Sequence, residues 1–309
     1  MATFAKNAYD SATYAAARPT YPRLLYDAVL EFHKKGRPES DSEGWDVAVD
    51  LGCGTGQATV QLLANDGQLG FKRVIAVDPS PNMIEVATEV LPEHLKSQVK
   101  FHRSTAEELG FIEDGTVDIV VAAQSSHWFD WSRAWPEFQR ILKPGGSFVF
   151  WGYSELRLTQ HPELTPIISA YSQGSDPATS LGSHWEPGRR ILDNHFLDVN
   201  PPARGWADLT RVFYTGGHYP ELAGGSHKDV IIRKKMPWAG GPGEGFAGYL
   251  ETYSALYRYR EAFPEDRERV EGDIAMRFRR RLMEGAGETD EKALVEVEWP
   301  LSLVMVRKV

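Results

Sequence analysis

Residues 47–59 read VAVDLGCGTGQAT, an apolar run that ends in an acid and is followed by alternating glycines. Glycine adopts backbone conformations that other residues avoid, and its lack of a Cβ lets a ligand approach the chain closely. A stretch compatible with a helix comes next. The segment therefore predicts a strand, a tight turn and a helix, with a nucleotide-like cofactor lying over the turn.

The glycine spacing narrows the choice of cofactor. A dinucleotide fingerprint needs G-x-G-x-x-G, but counting from Gly52 or from Gly54 puts Gln57 or Thr59 where the third glycine should stand. A phosphate-binding P-loop ends in Gly-Lys followed by Ser or Thr, and this segment has no such ending. The pattern that remains is acid-x-G-x-G-x-G.

A second apolar run, residues 73–78, ends in Asp78. This acid follows the glycines by about 20 residues, where a second strand would deliver a carboxylate to ribose hydroxyls. Residues 78–81 read DPSP, which is also turn chemistry, so a turn or capping role for Asp78 stays open.

The run at 117–123 is continuously apolar apart from one acid, as a buried parallel strand requires, and polar and aromatic residues follow it. Open α/β sheets bind ligands at the carboxyl ends of their strands. We therefore expect Gln124 and Ser125 to border the cofactor, and His127 and Trp128 to face the substrate.

The acid-x-G-x-G-x-G pattern resembles the first motif of the class I S-adenosylmethionine-dependent methyltransferases. The resemblance implies that Asp50 lies near the methionine ammonium of S-adenosylmethionine, whose product is S-adenosylhomocysteine. It also implies that the small residues of the turn pack under the amino acid and the ribose. These residues are Gly52, Cys53, Gly54 and Gly56.

Two further positions follow from the same resemblance. Met83 stands where the family often packs a side chain on the adenine. Residues 100–109, KFHRSTAEEL, are similar to the segment beside the adenine edge, which implies that Ala106 and Glu107 read the base. Glu107 fits equally well as an ordinary acid in the first turn of a helix, where the dipole favours it.

Residues 14–22, YAAARPTYP, are similar to the lead-in of a narrower subgroup, the trans-aconitate methyltransferase-like (methyltransferase type 11) small-molecule enzymes. The segment QSSHWFD at 124–130 is similar to the same subgroup. The resemblance implies that Tyr14 and Arg18 lie beside the methionine end of the cofactor. The residues assigned to the substrate are Trp128, Tyr21, Trp185 and Arg189.

Composition limits the remaining possibilities. The chain has 309 residues, of which 42% are hydrophobic and 25% charged, and this supports a full core. A net charge of −9 argues against nucleic-acid binding, which needs a basic face. Cys53 is the single cysteine and the nine histidines are scattered, so neither an internal disulfide nor a metal site is expected. No apolar leader or membrane-length run is present, so we expect a cytoplasmic protein without a membrane partner. We also expect either a monomer or a homodimer.

Alternating strands and helices predict an α/β fold, a doubly wound Rossmann-like sheet of seven strands, mostly parallel with an antiparallel last strand. The strands expected in its core are 46–51, 73–77, 98–102, 117–122 and 146–151. The helices expected around it are about 22–35, 56–65, 81–90, 105–108 and 131–142.

The domain prediction has three parts. Residues 1–154 form an N-terminal lid and the cofactor-binding core, and 155–285 form cap insertions for the substrate around a sixth strand at about 206–214. Residues 286–309 complete the sheet with a strand that alternates over 293–306. Two cap helices are expected, at 246–260 and 265–284.

Three functions stay open at this point. The resemblance favours O-methylation of a carboxylic acid, which is already a nucleophile and needs only a cation to place it: Arg18, Arg189 or Arg190. The alternative is a C- or O-methyltransferase acting on a quinone, phenol or secondary metabolite, with His127 as the base. A third possibility is an S-adenosylmethionine-binding protein that transfers no methyl group.

Overall fold

The computed structural model describes residues 17–35, 45–63, 69–222, 226–227, 229–240 and 243–309. The predicted cofactor residue Tyr14 lies outside them. The chain divides into two compact units. The described residues of the first, here called the sheet unit, fall within 21–153, 190–231 and 301–309. Those of the second, here called the helical unit, fall within 17–20, 154–189 and 232–300.

The sheet unit is built on one twisted layer of strands. Its first five strands are β1 (Val47–Leu51), β2 (Arg73–Asp78), β3 (Val99–Arg103), β4 (Val117–Ala123) and β5 (Leu142–Tyr153). They are parallel and lie in the order β3-β2-β1-β4-β5. Because they are parallel, their carboxyl ends meet at one edge of the sheet, as expected for a ligand-binding α/β fold.

Three further strands extend this sheet beyond β5. They are β7 (Trp206–Tyr214), the two-residue edge strand β8 (Ser226–His227) and β11 (Leu301–Lys308). Strand β11 lies between β5 and β7 and is antiparallel to both. The predicted sheet of seven strands with an antiparallel last strand is therefore confirmed, with β8 as a small addition.

Helices cover both faces of the sheet. Those of the sheet unit are α1 (Arg23–Lys35), α2 (Gln57–Gln61), α3 (Pro81–Val90) and α4 (Trp131–Ile141). Local signals explain where they begin: the Ser80 hydroxyl caps α3 by accepting from the Met83 N–H, and Asp130 caps α4 by accepting from the Ser132 N–H. Apolar residues of α4 at helical spacing, among them Ala134 and Phe138, pack into the core of the sheet.

The helical unit contains a small antiparallel sheet and several helices. Its strands are β6 (Arg157–Leu158), β9 (Ile232–Pro237) and β10 (Leu294–Trp299), in the order β6-β10-β9. Its helices are α5 (Thr165–Gln173), α7 (Gly245–Glu251), α8 (Ser254–Ala262) and α9 (Ile274–Gly285). A short helix, α6 (Arg189–Asp193), begins at the last residue of this unit's 154–189 segment. No helix in the described parts of the chain combines the length and the apolarity needed to cross a membrane.

The structure corrects the prediction of a helix at 105–108, which is a turn. In a helix the Leu109 N–H would donate to the carbonyl of Thr105, but here it donates to Glu137 at 2.9 Å. The Ser104 hydroxyl also closes the turn by donating to the Glu108 carbonyl at 2.6 Å. Side-chain hydrogen bonds of this kind compete with the helix for backbone groups.

The predicted last strand over 293–306 is two strands, because Pro300 has no N–H for the ladder and ends β10. Strand β10 joins the small sheet of the helical unit, whereas β11 joins the main sheet. The expected sixth strand, β7, lies in the main sheet, and the cap role of the segments on either side of it stays a prediction.

The helix predicted at 246–260 is interrupted between α7 and α8. The Thr252 N–H and hydroxyl both donate to the Tyr249 carbonyl, at 3.1 and 2.6 Å, so the Tyr253 N–H donates to Leu250 instead. The helix predicted at 265–284 is a short 3-10 turn over Pro264–Glu268 followed by α9.

Candidate active site

The glycine turn connects β1 to α2 and has positive φ at Gly52, Gly54 and Gly56, +67°, +54° and +86°. At Gly52 a Cβ would lie 2.4 Å from the Cβ of Ser125, which is far inside van der Waals contact. The N–H groups of Gly52 and Cys53 both donate to the Val77 carbonyl, at 2.7 and 3.0 Å. The turn is therefore held against the end of β2, and glycine is required at position 52.

Gly54 lies at the open part of the turn. A Cβ at this position would meet no described atom within 4 Å. Its N–H donates to Asp78 Oδ2 at 2.9 Å, which anchors the backbone of the turn at this residue. This is the arrangement in which a ligand can lie directly on the backbone.

Asp50, the penultimate residue of β1, is fully buried. Its Oδ2 accepts from the Thr59 hydroxyl at 2.6 Å, whereas Oδ1 has no hydrogen-bond partner among the described residues. Burial raises the pKa of Asp50 to about 7; the Thr59 hydrogen bond opposes this shift, and the Asp78 charge adds to it. A buried acceptor without a donor suits a cationic amine, which would also favour the ionised carboxylate.

Asp78, at the end of β2, serves the turn and keeps capacity for a ligand. One carboxylate oxygen accepts from the Gly54 N–H at 2.9 Å and the other from the Ser80 N–H at 2.8 Å. A carboxylate has about four acceptor positions, so two of them remain for the hydroxyls of a ribose. Burial raises the pKa of Asp78, and the two backbone hydrogen bonds lower it. The turn role and the ribose role are therefore compatible.

The two residues after β4 use their side chains within the sheet unit. The Gln124 amide donates to the Tyr153 carbonyl at 3.1 Å and accepts from the Tyr153 N–H at 2.7 Å, which ties β4 to β5. The Ser125 hydroxyl donates to the Leu51 carbonyl at 2.5 Å beneath the glycine turn. Ser125 lies against the glycine turn, and the contact of both residues with the cofactor stays a prediction.

His127 and Trp128 lie on a 3-10 turn, Ser126–Trp128, at the carboxyl end of β4. His127 is 8% exposed, and its ring centroid lies 4.8 Å from that of Trp128.

Glu107 accepts from the Asp130 N–H at 2.8 Å, so it joins the segment after β3 to the start of α4. Because 105–108 is not a helix, the interpretation of Glu107 as a first-turn acid is wrong. Its role at the adenine stays a prediction, as do those of the buried residues Met83 and Ala106.

Three other predicted residues lie in the helical unit. The Arg18 guanidinium donates to the Thr252 carbonyl at 2.9 Å, and its carbon lies 5.4 Å and 5.8 Å from the ring centroids of Tyr249 and Tyr253. The Arg189 guanidinium lies 4.2 Å above the ring of Trp185. The predicted substrate residue Tyr21 lies in the sheet unit instead, with its ring 5.4 Å from that of Trp151.

Sequence reasoning missed Thr59 and Tyr26. Thr59 lies on the buried side of α2, directly after the glycine turn, and its position next to the motif is the one signal in the sequence for its hydrogen bond to Asp50. Tyr26 occupies the buried face of α1 together with Leu25 and Val29. Nothing in the local pattern distinguishes this tyrosine from a core residue.

The described groups at the carboxyl edge fit a ligand with an amine and a diol. Asp50 presents an unpartnered buried acceptor, Asp78 two remaining acceptor positions, and Gly54 an open stretch of backbone. S-adenosylmethionine contains an ammonium, a ribose diol and a flat base in that sequence. Among the described residues no group of His, Cys, Asp and Glu side chains could hold a metal ion.

Comparison with known proteins identifies a methyltransferase domain in the chain. A family model described as a methyltransferase domain matches residues 49–150. A Dictyostelium discoideum protein named as a methyltransferase is 25% identical over 96% of this chain and 93% of its own length. A Saccharomyces cerevisiae protein named as a probable S-adenosylmethionine-dependent methyltransferase is 32% identical over 54% of each chain.

A solved structure from Anaeromyxobacter dehalogenans, named as a type II methyltransferase, shares the fold with a TM-score of 0.63. It is 26% identical and covers 94% of this chain and 97% of its own. The match spans both units of the chain. The chain therefore contains a methyltransferase domain, and the protein is an S-adenosylmethionine-dependent methyltransferase, an enzyme that takes a methyl group from S-adenosylmethionine and releases S-adenosylhomocysteine.

Proposed function

We propose that the enzyme methylates a carboxylate oxygen of a small organic acid. The observation that carries this proposal is a pair of guanidinium groups on one aromatic cluster of the helical unit. This arginine–aromatic cluster consists of Arg18, Trp185, Arg189, Tyr249 and Tyr253.

The contacts in the cluster are continuous. The Arg18 guanidinium faces the ring of Tyr253, whose centroid lies 5.4 Å from that of Trp185, and Arg189 covers Trp185. Burial raises the pKa of Tyr253, and the charges of Arg18 and Arg189 partly oppose this shift, so both charges act at one phenol. The Trp185 indole N–H donates to the Ser172 carbonyl at 2.7 Å, which fixes the ring under Arg189.

This cluster suits an organic acid for two reasons. Arginine binds carboxylates through paired N–H donors, and its stacking on aromatic rings holds the guanidinium plane in place. The same rings offer apolar surface to the carbon skeleton of a small molecule. A carboxylate positioned in this way is already a nucleophile, so the protein needs to align it and exclude water but does not need a base. S-adenosylmethionine, when bound, supplies the activated methyl group.

A second candidate function is C- or O-methylation of a quinone, phenol or other secondary metabolite. The observation that favours it is His127, a buried histidine at the carboxyl end of β4 that packs beside Trp128. A phenol or an activated carbon must lose a proton, and a histidine is the usual group to accept it.

One experiment separates the two functions. Radiolabelled S-adenosylmethionine is incubated with the enzyme and a panel of organic acids, phenols and amines, and the products are treated with mild alkali. Release of the label as volatile methanol is expected, because alkali hydrolyses a methyl ester. A label that stays fixed on a phenol, nitrogen or carbon would contradict carboxylate methylation.

The His127→Ala variant adds a second test. If the histidine were the base, the rate on the true acceptor would fall by about 10²–10⁴-fold. Carboxylate methylation predicts a loss of less than about tenfold, measured as single-turnover methyl transfer with both substrates saturating.

We also propose that the enzyme acts in the cytoplasm as a monomer or homodimer, on a small molecule rather than on nucleic acid. The net charge of −9 supports this part of the proposal, because a nucleic-acid partner would favour a basic surface. Size-exclusion chromatography with light scattering, with and without added RNA, would test both statements.

A further inference from the structure

Several buried polar atoms of the sheet unit have no hydrogen-bond partner among the described residues, and among them are four that belong to side chains at most 1% exposed. They are Asp50 Oδ1, the Ser126 hydroxyl, the Trp151 indole N–H and the Tyr26 hydroxyl. An unsatisfied buried polar group costs about 1–3 kcal/mol, and folded proteins keep few of them. A group of four near the carboxyl edge of the sheet therefore requires an explanation.

Strand register places Asp50 and Trp151 on one face of the sheet. Asp50 is level with Val121 of β4, and Val121 is level with Val149 of β5. Trp151 is two residues beyond Val149, so its side chain points to the same face, one row closer to the carboxyl edge.

Tyr26 on α1 connects the two residues. Its ring meets the Trp151 ring edge-on, with centroids 5.9 Å apart. The charge of Asp50 also acts on the Tyr26 hydroxyl: burial raises the pKa of Tyr26, and Asp50 raises it further. The Tyr26 hydroxyl donates no hydrogen bond to this carboxylate or to any other described residue.

The chemistry of these atoms defines the ligand. An ionised carboxylate only accepts hydrogen bonds and an indole N–H only donates them, whereas a tyrosine hydroxyl does both. Asp50 therefore needs a donor, and Trp151 needs an acceptor. A zwitterionic amino-acid group, with an ammonium and a carboxylate on one carbon, supplies both.

We propose that Tyr26 and Trp151 bind the carboxylate of the amino-acid portion of S-adenosylmethionine, while Asp50 accepts its ammonium. Helix α1 is then part of the cofactor site, although it precedes the glycine turn in sequence and carries none of the motifs. The proposal does not depend on which acceptor the enzyme methylates.

The test compares two ligands by isothermal titration calorimetry: S-adenosylmethionine and decarboxylated S-adenosylmethionine, which keeps the ammonium, the sulfonium and the nucleoside. For Tyr26→Phe and Trp151→Phe we expect the Kd of S-adenosylmethionine to rise roughly tenfold to a hundredfold, because each variant loses a hydrogen bond to a charged group. The Kd of the decarboxylated ligand should change by less than about twofold, because that ligand has no carboxylate to lose.

Tyr171→Phe is the matched control, because Tyr171 of the helical unit also has a buried hydroxyl without a partner among the described residues. It should leave both Kd values unchanged. The melting temperature of ligand-free Tyr26→Phe should equal or exceed that of the wild type, since no internal hydrogen bond is removed.

Three results would overturn the proposal. The first is an equal loss of affinity for both ligands in Tyr26→Phe, and the second is no loss for either. The third is measured on the wild type alone, for which the proposal requires tighter binding of S-adenosylmethionine than of its decarboxylated form. Equal affinity there would show that the carboxylate has no partner in the protein.

Discussion

The glycine turn of the sheet unit and the arginine–aromatic cluster of the helical unit are built in different ways. The polar contacts of the turn involve residues 50–59 and the end of the second strand, at Asp78. Backbone N–H groups are the donors in several of these contacts. The cluster is made of side chains, some of which donate hydrogen bonds to backbone carbonyls, and one of these bonds joins residues 234 positions apart. A site made from backbone and spacing is visible in a sequence, whereas a site made from distant side chains is not.

If this contrast is correct, adding a single methyl group to the glycine turn should destabilise the protein strongly. We expect Gly52→Ala to destabilise the fold by roughly 3 kcal/mol, because the new Cβ would overlap Ser125 and the positive φ would be strained. Gly54→Ala is the matched control: it has a positive φ but open space, so it should cost only about 1–2 kcal/mol. Urea denaturation measures both, and equal losses would show that the contact with Ser125 relaxes.

The two regions should also separate acceptor binding from cofactor binding. We expect Arg18→Gln and Arg189→Gln to raise the KM for a carboxylate acceptor by roughly tenfold or more, because each variant loses a charged hydrogen bond to the carboxylate. The Kd of S-adenosylhomocysteine should not change. Arg190→Gln is the comparison variant, because Arg190, the third candidate cation in the sequence, is exposed and is not part of the arginine–aromatic cluster. A parallel loss of cofactor affinity in either variant would argue that the arginines serve the cofactor, as the resemblance implied for Arg18.

The reverse result is expected at Asp78. Asp78→Ala should weaken the binding of S-adenosylhomocysteine by roughly 1–3 kcal/mol, because the ribose hydroxyls lose their hydrogen-bond acceptor. The KM for the acceptor should not change. Calorimetry with S-adenosylhomocysteine and with its 2′-deoxy form locates the effect: the variant should lose less affinity for the deoxy ligand. Unchanged affinity for both would refute the ribose assignment.

The smallest expected effect is a pH dependence that belongs to the turn alone. The pKa of Asp50 is raised to about 7, so its ionised form, which an ammonium requires, accumulates only as the pH rises through about 7. Cofactor affinity should therefore increase from pH 6 to pH 8. Because the folded pKa lies above the ordinary value, the contribution of Asp50 to the stability of the ligand-free protein should fall as the pH rises from about 4 to about 7.

Asp50→Asn removes the titrating group and is the control for both trends. Calorimetry at several pH values and denaturation without ligand measure them separately. If affinity and ligand-free stability shift in the same direction with pH, the assignment of this carboxylate to an ammonium fails.

The core strands were predictable because parallel strands buried on both faces leave continuous apolar runs. The predicted strand at 117–122 and the observed β4, Val117–Ala123, nearly coincide, and so do 206–214 and β7. The errors occur where one hydrogen bond or one missing N–H decides. Glu137 captures the N–H that would have begun a helix after Thr105, and Pro300 divides the terminal strand between two sheets.

The sequence by itself determined the family, the cofactor and the main sheet, because these depend on glycine spacing and apolar periodicity within short segments. Only the tertiary structure decided which side chains meet. It brought Tyr26 to Trp151 and Arg18 to Tyr253, pairs that no local pattern connects. The physical reason is that backbone geometry follows from neighbouring residues, whereas the pairing of buried polar groups depends on how distant segments pack.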